Sequence, residues 1–199
     1  MYSTIMFDLG GVLFTNGTKG IVQHISETYS LNPSFVKEVM DGDIGSQYRI
    51  GDISGSVFWE KALAAMNIDA NAQELNTIWL EGYTLIEETR AIILELKQSY
   101  KIYYLSDNVE DRIEYLEQKY DFLKIFDDGI FSYKAGVRKP GEKIYKMALE
   151  LAKCKAQDAL FIDDKESALE PAKRLGMGTL QFTNAQQLRE DLVKMGVLT

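Results

Sequence analysis

One cysteine and one histidine among 199 residues remove two kinds of chemistry before any motif is read. Cys154 has no second cysteine for an intrachain disulfide and no cysteine cluster that could hold zinc, so it reads as a small apolar residue on a helix. His24 is the only imidazole available as a proton carrier near neutral pH, and a surface or core-edge position is the expected role for such a lone residue. Positive charge is the scarcer sign: 22 Lys and Arg against 30 Asp and Glu leave a formal charge of -8. No Lys/Arg run is long enough to track a phosphate backbone, which disfavours nucleic acid and anionic membranes as partners. An anionic substrate would have to be met by a few local cations and a metal ion, against the field of the whole chain. No apolar stretch approaches the roughly 20 residues of a membrane span, and the first residues lack a basic n-region followed by a long apolar stretch. The expectation is a soluble cytoplasmic protein, with nothing that sets its oligomeric state.

The length suits one domain carrying an insertion. Five short apolar runs predict buried parallel strands: Thr4 to Phe7, Ile102 to Leu105, Ile130 to Phe131, Ala159 to Ile162 and Thr179 to Phe182. Helical spacing recurs over Ile86 to Gln98, Val109 to Lys119, Gly141 to Ala152, Ser167 to Leu175 and Ala185 to Met195. This alternation predicts an α/β fold with a doubly wound, Rossmann-like parallel sheet. Between Gly17 and Tyr83 the rhythm breaks, and the stretches Ile21 to Tyr29, Pro33 to Met40, Ser54 to Met66 and Ala72 to Leu80 predict an inserted helical cap, with Ser34 and Ser54 as helix caps. The domain expectation is therefore a core of 1–16 and 84–199 and a cap of 17–83.

Polar clusters stand at the carboxyl ends of four of these strands. The first is Asp8-Leu9-Gly10-Gly11-Val12, a carboxylate followed by two glycines that let backbone approach a ligand closely. Ser106-Asp107-Asn108 places a hydroxyl and free N–H groups where a helix start favours an anion. Val137-Arg138-Lys139-Pro140 projects Lys139 from a loop, with Pro140 placed to open a helix. Asp163 and Asp164 end the fourth strand as an adjacent acid pair, costly beside apolar residues unless a cation or hydrogen bonds neutralise it. Each cluster alone reads as a turn, a cap or a solvated side chain, but four at one sheet edge make chance the poorer explanation.

Phe7 to Leu13, Leu105 to Asn108, Arg138-Lys139-Pro140 with Ile144-Tyr145 and Ala148-Leu149, and Ile162-Asp163-Asp164 with Ala172 and Gly176-Met177 together resemble the four motifs, in order, of the haloacid dehalogenase superfamily. In motif style the chain is most similar to the bacterial sugar-1-phosphate phosphatases and to the amino-terminal phosphatase domain of soluble epoxide hydrolase. The resemblance implies a small helical cap directly after the first motif. It implies Asp8 as the nucleophile that forms an aspartyl-phosphate. It also implies magnesium held by Asp8, the Gly10 carbonyl and the Asp163/Asp164 pair, with Asp164 as a direct ligand and Asp163 either a further ligand or a partner that supports the site. Ser106, the adjoining backbone at Asp107, and Lys139 would hold the transferring phosphoryl oxygens, and the partner would be a small phosphorylated metabolite.

Two positions depart from that pattern. The family's phosphatases usually carry a second Asp two residues after the nucleophile, and here Gly10 stands there. A positioned acid or base contributes about 10²–10⁴-fold, so proton transfer is the step expected to suffer. Ala168 replaces an Asn or Asp that often supports the metal-side acids. Three readings follow: a phosphatase for good leaving groups such as sugar 1-phosphates, a phospholigand-binding regulatory module without turnover, and a dehalogenase, which the retained acid pair disfavours. His24, Asp41 and Asp43 are distant candidates for a surrogate acid, with a solvated loop expected for the two aspartates. Asp43, Tyr48, Arg49 and Trp59 are candidates to line a crevice, although Trp59 and Trp79 at helical spacing favour the cap interior. Thr15 and Asn16 are expected to form a small hairpin that positions the cap.

Overall fold

The computed structural model describes residues 2–198. Its centre is β1 (Thr4–Phe7), every residue of which is buried. Continuous apolar runs of this kind belong to strands covered on both faces, as a parallel sheet with flanking helices requires. After β1 come α1 (Gly17–Tyr29), α2 (Pro33–Asp41), α3 (Asp43–Arg49), α4 (Gly55–Met66), α5 (Ala72–Glu81) and α6 (Glu87–Leu96). The chain then runs through β2 (Lys101–Ser106), α7 (Glu110–Tyr120), β3 (Asp128–Phe131), α8 (Ser132–Ala135) and α9 (Glu142–Ala152). It ends with β4 (Ala159–Asp163), α10 (Glu166–Arg174), β5 (Gly178–Gln181) and α11 (Ala185–Lys194).

The five strands are parallel in the order β3-β2-β1-β4-β5. Phe7 pairs with Tyr104 on one side and Ile162 on the other, which aligns the carboxyl ends of β1, β2 and β4. The chain winds outward from β1 through β2 to β3, then crosses back to β4, so the strand order reverses beside β1. Ligands of open α/β sheets bind in the crevice at such a reversal. The period-2 alternation of the strands divides the core. Ile5 and Phe7 join Ile102, Leu160 and Ile162 on one face, and Met6 joins Leu105 and Phe161 on the other.

Helices α1 to α5 pack mainly on one another, and their interior is aromatic: Phe58 stacks on Tyr48 at 4.8 Å between centroids and meets Trp59 edge-on at 5.2 Å. Trp59 Nε1 donates to Asn76 Oδ1 and Trp79 Nε1 to Thr18 Oγ1, which satisfies the polar tips of two buried indoles. This layer docks on the sheet domain through Tyr48 Oη, which donates to Asp111 Oδ1 at 2.5 Å, and through Ser132 Oγ, which donates to the Arg49 carbonyl at 2.6 Å. The apolar cluster on the Ile5–Phe7 face continues into the helical layer without a break.

Several local expectations change. Asn32, not Ser34, caps α2: its side chain accepts from the N–H groups of Ser34 and Phe35, and Pro33 takes the first helical position, where its missing N–H costs nothing. Ser54 caps α4 as expected. The loop expected around Asp41 and Asp43 is helical, with Asp41 ending α2 and Asp43 starting α3. This seven-residue helix is too short to display an apolar period, and its interior contacts are non-local. Pro140 lies in the turn before α9, and Gly141 is the capping residue. Cys154 lies in the loop after α9 rather than on a helix, because Lys153 takes a left-handed conformation that ends the helix. Thr15 and Asn16 do not form a hairpin of their own. Phe14 bridges antiparallel to Leu85, the Thr15 hydroxyl bonds the Gly82 carbonyl and the Thr84 N–H, and the two chain crossings between layers are thereby clasped together.

Candidate active site

Immediately past β1 the chain makes a tight turn in which the Leu9 carbonyl accepts from the N–H groups of Val12, Leu13 and Phe14. Asp8 is anchored before that turn by its own N–H, which donates to the Ile162 carbonyl at 2.9 Å. Gly11 makes the turn possible: its φ is +94°, and a Cβ there would stand 2.6 Å from Asp164 Oδ2. Gly10 is different. A Cβ built on it meets only Tyr83 Cε1, at an ordinary 3.7 Å, so the backbone does not dictate glycine at this position.

The ends of β1 and β4 bring Asp8, Asp163 and Asp164 together, with one oxygen of each lying within 4.8 Å of the others. Lys139 enters this group from the loop before α9, its Nζ 3.0 Å from Asp8 Oδ1 and 2.5 Å from Asp163 Oδ2. Burial would lower the Lys139 pKa, but the carboxylates of Asp163, Asp8 and Asp107 more than offset it and hold the ammonium charged. The Asp8 pKa is raised, chiefly by burial, with Lys139 pulling the other way and Asp163 adding repulsion. Asp164 is raised as well, first by burial and then by the Asp8 charge.

The two acids of the pair are not equivalent. Asp163 is fully buried with both oxygens engaged, Oδ2 by Lys139 and Oδ1 by the Lys165 N–H at 2.8 Å. Asp164 Oδ1 is buried and makes no hydrogen bond. Ser106, at the end of β2, likewise has a buried hydroxyl without a partner. Such groups cost about 1–3 kcal/mol each when left unsatisfied. An all-oxygen donor set with one carboxylate oxygen open suits a hard divalent cation, so the residues fit a magnesium site.

Asp107 turns its carboxylate away from this role. Oδ1 accepts from the Lys139 N–H at 3.0 Å and Oδ2 faces Arg138 Nε at 3.4 Å, so its side chain positions the Lys139 loop. Arg138 also reaches Asp41, which in turn pairs with the buried Arg49 at 3.2 Å. This chain of alternating charges joins the helical layer to the loop that carries Lys139. At Ala168 the backbone is the functional part, its carbonyl accepting from the buried Tyr145 hydroxyl at 2.6 Å.

A cavity of about 870 Å³ opens over these groups between the sheet edge and the helical layer. Asp8, Gly10, Lys139, Asp163 and Asp164 line its floor, and Arg49, Arg112, Arg138 and Lys165 bring positive charge to its walls. Of the crevice candidates only Arg49 lines it; Tyr48 and Trp59 pack in the aromatic interior, and Asp43 is exposed elsewhere. Asp41 lines it, but held between two arginines. His24 is half-buried and stands outside the lining. Arg112 and Tyr83 line the cavity too, and sequence reasoning missed both. Arg112 lies in the first turn of α7 and Tyr83 in the segment between α5 and α6, and neither position carries a motif that marks it in the sequence.

A parallel α/β sheet with a carboxylate after its first strand, a buried lysine and an acid pair beside it, and a cavity roofed by helices defines a doubly wound α/β protein whose sheet edge is built to meet a cation and an anion together. The sequence model of haloacid dehalogenase-like hydrolases matches residues 2–176, and the chain belongs to this family. Among curated relatives, D-ribitol-5-phosphate phosphatase of Bacteroides thetaiotaomicron is 22% identical over 96% of this chain and 97% of its own length. Bifunctional epoxide hydrolase 2 of Rattus norvegicus is 35% identical over 80 residues, which are 40% of this chain and 13% of that protein. Among solved structures, a family enzyme from Bacteroides thetaiotaomicron in complex with magnesium and inorganic phosphate superposes with a TM-score of 0.75 at 22% identity, covering 92% of this chain and 95% of that one.

Proposed function

We propose that this chain is a magnesium-dependent phosphatase for a small phosphorylated metabolite, acting through an aspartyl-phosphate on Asp8. The observation that carries the reading is the pair of unpartnered buried groups beside Asp8. The Ser106 hydroxyl is a donor lacking an anion, and Asp164 Oδ1 is an acceptor lacking a cation. A phosphate and a divalent metal would satisfy both. The relative that acts on D-ribitol 5-phosphate and the neighbouring structure holding magnesium and phosphate support the same chemistry.

In this reading Asp8, the Gly10 carbonyl and Asp164 hold magnesium, with Asp163 supporting the site through Lys139 and the Lys165 N–H. The bound ion supplies charge neutralisation between the carboxylates and the phosphate dianion. An Asp8 carboxylate oxygen bonds to phosphorus while the ester P–O bond breaks, and the departing oxygen keeps the electron pair and takes a proton from water. A second water then attacks the acyl phosphate, releasing inorganic phosphate and restoring Asp8. Lys139, Ser106 and the Asp107 N–H stabilise the charge that spreads over the phosphoryl oxygens. The helices of 17–83 act as the cap over a core of 1–16 and 84–199. Because no carboxylate extends from Gly10, the favoured substrates are those whose leaving group needs little protonation, such as sugar 1-phosphates. The test is phosphate release from matched sugar 1- and 6-phosphates, with magnesium and with EDTA, in the native protein and in Asp8→Asn. Metal-dependent release that vanishes in Asp8→Asn supports the assignment, and release that persists in the variant refutes it.

Gly10 also favours a second reading, a module that binds magnesium and a phosphorylated ligand without turnover. Saturable ligand binding by folded protein that releases no phosphate across the panel would select it.

A further inference from the structure

Arg112 stands on the first turn of α7 and is 2% exposed, yet among the described residues no carboxylate pairs with it. The other two arginines of the cavity wall are committed: Arg49 to Asp41 and to the carbonyls of Met40 and Gly45, and Arg138 to Asp41 and Asp107. Arg112 Nη1 donates to Asn108 Oδ1 at 3.1 Å, which fixes the guanidinium relative to the backbone that follows Ser106. Its carbon lies over the rings of Trp79 and Tyr83, 4.3 and 4.5 Å from their centroids. The rings attract the charge but offer no oxygen to its N–H groups. Nε and Nη2 are both buried and unpartnered. These two atoms form one edge of the guanidinium plane, the edge that grips a carboxylate or phosphate with two parallel hydrogen bonds.

A buried cation without a counter-ion is unfavourable, and that cost is removed when an anion arrives. We propose that Arg112 is a second anion site in the cavity, and that the substrate carries, on the part that leaves, a further oxyanion besides the phosphate transferred to Asp8. The inference rests on the phosphatase reading for which group is transferred. The ligand chemistry it names is a carboxylate or second phosphate presented to the Nε/Nη2 edge, with Tyr83, which also lines the cavity, beside the bound group. Asn108 is a positioning residue for that edge. The element order explains why the two sites share one ligand: β2 delivers Ser106 to the transferred phosphate, and the helix that follows it delivers Arg112.

The test compares 3-phosphoglycerate with glycerol 3-phosphate, which share the ester and differ in a carboxylate, and glucose 1,6-bisphosphate with glucose 1-phosphate, which differ in a second phosphate. The native protein is expected to prefer the more anionic member of at least one pair, and the pair showing it tells carboxylate from phosphate. In Arg112→Met that ratio of kcat/KM falls about 30- to 5000-fold, the range for truncating one partner of a buried charge pair. Arg112→Lys, which keeps the charge without the fork, is expected to fall between. A purely structural Arg112, bracing Trp79 and Tyr83, predicts equal losses on both members of a pair. Equal losses, or no preference in the native protein, overturn the proposal. Binding is read separately by isothermal titration calorimetry of Asp8→Asn with the same four compounds. Selective, Arg112-dependent binding without turnover in the native protein would sink the phosphatase reading and uphold the anion site, whereas turnover without selectivity would do the reverse.

Discussion

Replacing Lys139 with methionine should destabilise the protein as well as silence it, and the two effects can be separated by pH. The ammonium is 6% exposed and lies 3.0 Å from Asp8 and 2.5 Å from Asp163. Without it, Asp8, Asp163 and Asp164 keep oxygens within 4.8 Å of one another with no cation between them. Removing one partner of a buried ion pair typically costs about 3–5 kcal/mol. At about 2–4 °C per kcal/mol for a chain of this size, Lys139→Met should melt roughly 6–20 °C below the native protein at about pH 8 in EDTA. The sign of the pH dependence follows from the carboxyl groups. Asp8 and Asp164 are already raised by burial in the native protein, and loss of Lys139 raises them further. The folded variant then binds more protons than the unfolded chain between the ordinary carboxylate range near 4 and the raised folded values, so its stability falls as pH rises through that window. The deficit should therefore shrink at about pH 4, and it should shrink at pH 8 when magnesium is added. Thermal denaturation by circular dichroism across pH reads both. A melting temperature within about 2 °C of native at pH 8 in EDTA would refute the view that Lys139 neutralises this cluster.

A Cβ at Gly10 meets only the Tyr83 ring edge, so Gly10→Asp should be accommodated by the backbone and raise phosphate release from alkyl phosphates by up to about 10²-fold, with a smaller gain on aryl phosphates; equal gains would show that the missing acid is not the limit. Gly11→Ala forces a side chain onto φ +94° and against Asp164, so it should lose about 1–3 kcal/mol in chemical denaturation, and magnesium should recover less stability than in the native protein. Tyr48→Phe removes the hydroxyl that donates to Asp111 across the two layers, for a loss of about 1.5–3 kcal/mol measured by urea unfolding. The Tyr48 phenol is raised, mainly by burial and then by its Asp111 bond, so this contribution should be complete below the ordinary phenol range near 10 and fall as pH rises above it; a contribution that already falls near neutral pH would contradict it.

What the sequence determined by itself is the part written in local pattern. The apolar runs of β1 and β4 and the helical spacing between later strands predict a parallel α/β sheet, and the polar clusters after those runs predict Asp8, Ser106, Lys139, Asp163 and Asp164 at one edge. Strand ends in a parallel sheet must align, so residues that follow apolar runs converge whatever lies between them. Boundaries were less legible: β2 and β3 each extend into residues that looked polar, Lys101 and Asp128, because edge and terminal positions need no apolar side chain. Tertiary structure alone decided the rest. The short α3 exists because Tyr48 and Arg49 find partners on α7 and α8, which its seven residues do not announce. The inequality of Asp163 and Asp164 comes from Lys139 and the Lys165 N–H, one of them from a distant loop. Arg112 carries no mark in the sequence, and it is a buried cation only because α5 and Tyr83 close over it. Pattern fixes which face a residue occupies, whereas burial and charge depend on what packs against that face from elsewhere in the chain.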